Sequence, residues 1–372
     1  MRIQLFWSIG SRLSLFLLAT VLTVQEARAA AHSFTWNVDA NGSWDTWSNW
    51  TPFGVPGGNS GDTVTFDGAI TASRTITLTS EQAKSITFNS SHGYTLNGTS
   101  LALGPAANGS FVQSGSGPVT MNVPVILGND TIVNGSGSGS VSFNGAISGS
   151  STLTVSGSYM TTFAAGNSFS GGLTVTSGAT LQLNASGSAG SGNVLVKSGG
   201  TIVLGGSSSV TTRFGTSVGL TLNSGTLNTS GLSESIGTLS LLSNSSAIDL
   251  GAGSSVLKFA ASAGSVWTSG KTLTIYDWSG SAKGGGADQL FFGTSSGGLT
   301  SSQLGEIVFS NPLGFSVAGN YPAGILANGE IVPIPEPATY LAAGCLLALA
   351  GYRERKAISA LAGRAWARCL IS

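Results

Sequence analysis

Two stretches near the centre of the chain decide its fold: Gly171-Gly172-Leu173-Thr174-Val175-Thr176-Ser177-Gly178-Ala179-Thr180-Leu181-Gln182-Leu183, and Gly192-Asn193-Val194-Leu195-Val196-Lys197-Ser198-Gly199-Gly200-Thr201-Ile202-Val203-Leu204. Each reads as a strand, a Ser-Gly turn and a second strand, because apolar and polar residues alternate with the two-residue period of an extended chain. Their starts lie about twenty residues apart, within the repeat lengths of solenoid proteins. A looser copy follows at 220–228. Working outward, the same alternation appears in Thr63-Val64-Thr65-Phe66 and Arg74-Thr75-Ile76-Thr77-Leu78, and no helical stretch is expected between 32 and 334. Thr, Val, Ile and Leu fill the runs while Gly, Ser and Asn fill the breaks, so the class is all-β. Stacked rung on rung, such strands bury one apolar stripe per rung and pair their backbones between rungs. The period therefore predicts a parallel β-helix, a right-handed β-solenoid, over 30–334, with the clearest repeats at 170–206. A β-sandwich of hairpins is the competing architecture.

Composition limits what such a body can do. The chain has 372 residues, 55 glycines, 8% charged residues and 2 histidines, which leaves few catalytic side chains. Between 30 and 335, 12 acidic residues face 7 basic ones. That mildly acidic body has no basic stripe and excludes nucleic acid as a partner. The cysteines, Cys345 and Cys369, both fall outside the body, so the fold has to hold without a disulfide.

The two ends carry different signals. Residues 1–29 have the parts of a signal peptide: Arg2 and Arg12, the apolar run Leu13 to Val24, and the small-residue site Ala27-Arg28-Ala29. Cleavage is expected after Ala29 or Ala31; the run of about a dozen apolar residues is short for a retained anchor, which needs ~20. At the other end, 335–356 reads Pro335-Glu336-Pro337, an apolar segment over 338–352, then Arg353, Arg355 and Lys356. The prolines are expected to hold the approach extended, the apolar run to enter the inner membrane as a transmembrane helix, and the basic cluster to hold its far end on the cytoplasmic side. A plain tail anchor is the alternative. A basic extension, 357–372, follows with Arg364 and Arg368.

The C-terminal segment resembles the PEP-CTERM sorting signal, and the repeats resemble those of bacterial surface proteins with autotransporter-associated β-strand repeats. The likeness extends to a Trp-rich N-terminal cap at 34–68, with Trp36-Asn37, Gly42, Trp44, Asn49-Trp50, Val55-Pro56-Gly57, Asp62-Thr63-Val64 and Phe66. It also covers a C-terminal cap region at 264–332, with Asp277-Trp278, Asp288-Gln289-Leu290, Phe292-Gly293, Leu299, Gln303-Leu304 and Asn328-Gly329-Glu330. The resemblance implies export by the secretion machinery, cutting near Pro335-Glu336-Pro337 by an exosortase-type enzyme, and a place at the cell surface or in the extracellular matrix. A translocator β-barrel needs many segments of about ten alternating residues, and none is expected from the pattern of these 372 residues.

Candidate chemistry is sparse. Gly293-Thr294-Ser295-Ser296-Gly297 fits the Gly-x-Ser-x-Gly nucleophile pattern, but both histidines, His32 and His92, lie upstream of it. Gly284, Gly286, Asp288 and Leu290 form half of a calcium-binding nonapeptide, which needs ligands from successive rungs. Asp62 with Asp67, and Asp277 with Asp288, are the carboxylates to weigh for glycan cleavage, and all four read as turn residues. Trp36, Trp44, Trp47 and Trp50 either stack on sugar rings or cap the open end of the solenoid, and capping is the favoured role; Trp267 and Trp278 are placed to cap the other end. The expectation is an exported, non-enzymatic surface or matrix protein without cofactor or metal. An adhesin or glycan-binding module that takes extracellular polysaccharide is the alternative, and a polysaccharide-active enzyme the more distant one.

Overall fold

A computed structural model describes residues 30–207, 211–335, 349 and 352–355. The signal residues Ala27 and Ala29, the sorting residues Glu336, Pro337 and Lys356, and nearly all of the apolar segment 338–352 lie outside the described residues.

The body is a β-solenoid of about nine turns. Alternation does the work expected of it: Leu173–Val175, Thr180–Leu183, Val194–Lys197 and Thr201–Leu204 are strands, and their inward residues are buried. Leu173–Val175 pairs in parallel with Val194–Lys197, and Thr180–Leu183 with Thr201–Leu204. Strands of one repeat therefore pair with the next repeat rather than with each other, which rules out the hairpin sandwich. The Ser-Gly turns join faces of a rung. Ser177 and Gly178 have φ of 57° and 73°, and Ser198 and Gly199 have 51° and 77°. Their backbone groups also pair along the stack, Gly178 N donating to Ser198 O at 3.1 Å.

Strict register aligns like with like. On the first face Phe34, Val64, Ile86, Phe111, Val133, Val155, Val175, Val196, Leu222 and Leu241 occupy consecutive rungs, and all are buried. On the second face Ile76, Leu96, Met121, Phe143, Phe163, Leu183 and Leu204 form a similar column. Each such side chain stabilises the fold by about 1.5–3 kcal/mol relative to exposure. A third face begins with the ends of Arg74–Ala83 and Tyr94–Leu103, continues through Val125–Leu127 and Ile147–Gly149, and resumes with Glu234–Ile236, Val256–Phe259 and Gln289–Phe292. Between these it continues as irregular chain, Ser168 N bonding Ile147 O and Ser191 N bonding Phe169 O, both at 2.9 Å. One corner is closed by glycines in backbone contact: a Cβ on Gly137 would lie 2.3 Å from Gly115 O, and one on Gly115 would lie 2.1 Å from Ser90 O. Outside another corner, Asn144 Nδ2 donates to Asn122 Oδ1 at 2.9 Å, and Asn122 Nδ2 to Asn97 Oδ1 at 2.8 Å. This amide chain repeats the rung spacing on the surface.

The parallel ladder ends differently at its two extremes. Ser33–Trp36 receives the antiparallel Trp50–Thr51. At the far end Ile307–Ser310, Asn320–Ile325 and Glu330–Pro333 pair antiparallel, and Glu330–Pro333 closes onto Gln289–Phe292. Reversed strands cover edges that would otherwise template another chain.

The expectation of no helix before 334 is corrected by Ser301–Gly305, a five-residue α-helix. Thr300 Oγ1 accepts from Gln303 N at 3.2 Å while Gln303 Oε1 accepts from Thr300 N at 2.8 Å. This capping box forms the helix without the apolar period that longer helices show.

Candidate functional site

The N-terminal tryptophans separate into two environments. Trp36, Trp44 and Trp50 are each 0% exposed, which corrects the idea of a four-ring sugar platform. Their indoles are consumed inside the cap: Trp36 Nε1 donates to Val38 O at 2.7 Å, Trp44 Nε1 to Pro56 O at 3.0 Å, and Trp50 Nε1 to Trp44 O at 2.7 Å. Trp50 meets Trp36 and Trp44 edge-on at 5.1 and 5.0 Å, and Phe66 at 5.6 Å. The rings thus extend the core past the first rung. Trp47 is 59% exposed and sits 5.2 Å from Phe53, itself 71% exposed. At the other end Trp278 is buried, while Trp267 is half-buried and donates from Nε1 to Leu239 O at 2.9 Å.

Three of the four aspartates considered for catalysis, Asp62, Asp67 and Asp288, are engaged by backbone. Asp62 is buried and accepts from His32 N, Gly57 N and Asn59 N at 2.9–3.0 Å. Asp67 is bonded by Ala69 N at 3.2 Å. Asp288 is fully buried, taking Ser255 N at 2.9 Å and Ser279 N at 2.8 Å, together with the Ser279 hydroxyl. Asp277 sits in a left-handed turn at φ 56° and is exposed. Ser295 is exposed at the start of a single 3₁₀ turn, Ser296–Gly298. Among the described residues no three His, Cys, Asp or Glu side chains gather as metal ligands.

Two charged contacts went unread in the sequence. Thr79 Oγ1 lies 3.2 Å from Asp45 Oδ2 and 2.9 Å from Glu81 Oε1; burial first, and then the neighbouring Asp45 carboxylate, raises the Glu81 pKa. Arg213 and Glu234 form an ion pair at 3.3 Å with both side chains 0% exposed. Sequence separation of 21 residues marks them only as one repeat apart.

Asp39 lies on the surface. The Thr71 hydroxyl and amide and the Arg74 guanidinium hold its pKa at about 2, below the ordinary 3.8. A lowered folded-state pKa means stability that is present above 3.8 and is lost as pH falls toward 2. Asp39→Asn is therefore expected to melt below the parent at pH 6, and the difference to close as both are titrated to pH 2. A constant difference across thermal melts at those pH values contradicts the linkage.

The C-terminal cap holds a groove of about 870 Å³ that no sequence motif announced. It runs between Trp278–Ala282 and the segment 313–321, and Pro335 forms part of its wall. Phe315 and Tyr321 pack with ring centroids 4.5 Å apart, and Trp278 lies 6.4 Å from Phe315. Pro335, the first residue of the sorting motif, is exposed one residue beyond the last cap strand, after Ile334, whose N donates to Pro322 O at 2.8 Å. Arg353 and Arg355 are exposed in a short helical run. Among the described residues no helix is long and apolar enough to cross a membrane. No family model, curated protein or solved structure matches the chain.

Proposed function

We propose that the chain is an exported, non-enzymatic structural component of a bacterial cell surface or extracellular matrix, sorted and cut at Pro335-Glu336-Pro337. The observation that carries this reading is the junction at Pro335: the folded body closes with Glu330–Pro333, and the exposed proline follows after the single residue Ile334. A cut there leaves the C-terminal cap and every rung intact. The body itself supports a scaffold role, since its buried carboxylates Asp62 and Asp288 are bonded by backbone rather than directed at a shared site. The secretion machinery and an exosortase-type enzyme are the partners this reading requires. A second reading, adhesion to extracellular polysaccharide, is supported by the exposed Trp47–Phe53 pair.

Intact mass of the protein recovered separately from membranes and from medium tests the sorting. The expected species starts near Ala30 and ends near Pro335. A chain ending at Ser372 and confined to membranes replaces the exosortase with a permanent tail anchor. Retention on immobilised polysaccharide that disappears in Trp47→Ala supports adhesion.

A further inference from the structure

One polar atom of a residue that lines the groove of the C-terminal cap is unaccounted for. Trp278 is 1% exposed, and its Nε1 has no hydrogen-bond partner among the described residues. Every other indole of the two caps discussed above donates to a carbonyl when buried or half-buried: Trp36, Trp44, Trp50 and Trp267. A buried donor left unbonded forfeits the hydrogen bond it would make to water, so a ligand acceptor that reaches it is favoured. The indole edge at Cε2 and Cζ2, beside Nε1, faces Gly280 in the groove wall, where a Cβ would come within 2.7 Å of both atoms.

The surroundings restrict what can answer that donor. Among the described residues no charged side chain lines the groove, so neither an acidic nor a basic ligand finds an ion pair there. The rings of Phe315 and Tyr321 supply apolar faces, and Ser281 and Asn320 supply polar groups beside them. Leu313 and Val317, on the segment over Trp278, are 66% and 54% exposed and offer apolar surface for a ligand to cover. That segment is tied by Leu313 N to Trp278 O at 2.9 Å and by the Tyr321 hydroxyl to Val317 O at 2.6 Å. The volume is in the range of small-molecule sites, about 300–1,000 Å³.

We propose that this groove binds a neutral sugar unit, seated by its apolar face on Phe315 and Tyr321, with one of its oxygens accepting the hydrogen bond that Trp278 Nε1 offers. The segment over Trp278 shifts to admit it, a movement within what binding loops commonly show. The site is separate from Trp47–Phe53, and because Pro335 forms part of its wall it lies directly beside the proposed cut.

The test uses the full chain labelled with ¹⁵N, titrated with cellotetraose and with maltotetraose while the indole N–H signals are followed by NMR. The Trp278 signal is expected to shift saturably with at least one of the two, and Phe315→Ala to weaken that binding about tenfold, as truncating an aromatic anchor does. Trp278→Phe identifies the signal; should it fail to fold, sequential backbone assignment of the parent, carried into the Trp278 ring, identifies it without a variant. No saturable shift of the Trp278 signal with either sugar up to about 10 mM, beyond weak millimolar binding, overturns the proposal. A shift unchanged by Phe315→Ala places binding elsewhere and also overturns it. So does a Trp278 signal that responds to deletion of 336–372 and not to sugar, since the chain's own tail would then occupy the groove.

Discussion

Arg213→Met is expected to destabilise the body by about 3–5 kcal/mol, the range seen when one partner of a buried ion pair is removed. Arg213 satisfies more than a charge. Its Nε and Nη2 donate to Gly205 O at 3.0 and 2.8 Å, and Nη2 also reaches Ser207 O at 2.9 Å. Methionine keeps much of the volume but leaves those carbonyls and the Glu234 carboxylate without the guanidinium. Burial already pushes the Glu234 pKa up against the hydrogen bonds of the Ser235 and Phe214 amides and of Arg213. A raised folded-state pKa means the folded protein holds that proton more tightly, so stability declines as pH rises above the ordinary 4.5. Without Arg213 the rise is larger. The deficit of the variant in urea unfolding is therefore expected to be greatest near pH 7 and to shrink toward pH 4. Arg213→Met combined with Glu234→Leu should recover part of the loss, because an apolar pair can replace a buried ionic one. A single variant as stable as the parent at pH 7 shows that the pair contributes nothing.

Trp50→Ala is expected to cost a similar amount, about 3–5 kcal/mol for truncating a buried large aromatic, but to spend it locally. Trp50 bridges Trp36, Trp44 and Phe66, and its loss opens the end of the stack. Because each rung of a solenoid contacts mainly its neighbours, amide exchange should quicken at Phe34, Trp36 and Phe66 while Val155 and Val175 keep the protection of the parent. Trp47→Ala, with its ring already exposed, is expected to change stability by no more than about 0.5 kcal/mol. Equal effects of the two substitutions contradict the division of the cluster into cap and surface.

What could be read in the sequence follows from how each face is built. The first two faces consist of strands whose inward residues are large and alternate, as in Leu173, Val175, Leu181 and Leu183, so their period is visible. The third face is carried in its middle by small and polar residues around Phe169 and Ala189, and its pairing is made by backbone groups of Ser168 and Ser191. Nothing in that composition distinguishes it from a loop. Cap residues such as Trp36 and Trp44 were recognisable as a cluster, yet which ring stays outside depends on the path through Trp47–Asn49 and Trp50–Thr51. The groove required Trp278 to meet Phe315 and Tyr321, contacts set by the antiparallel closure of the last strands and by no local pattern.

That antiparallel closure at both extremes, around a core of equal rungs, also fixes the molecule's reach. Adjacent parallel strands are about 4.8 Å apart, so the ten stacked rungs of the first face, from Phe34 to Leu241, span roughly 40 Å. Duplication or loss of one repeat of about twenty residues would lengthen or shorten the rod by a single such step. Its two capped extremities would be unchanged. The chain is in this sense a ruler with removable graduations, on which the distance between what sits at either end can be set by the number of repeats alone.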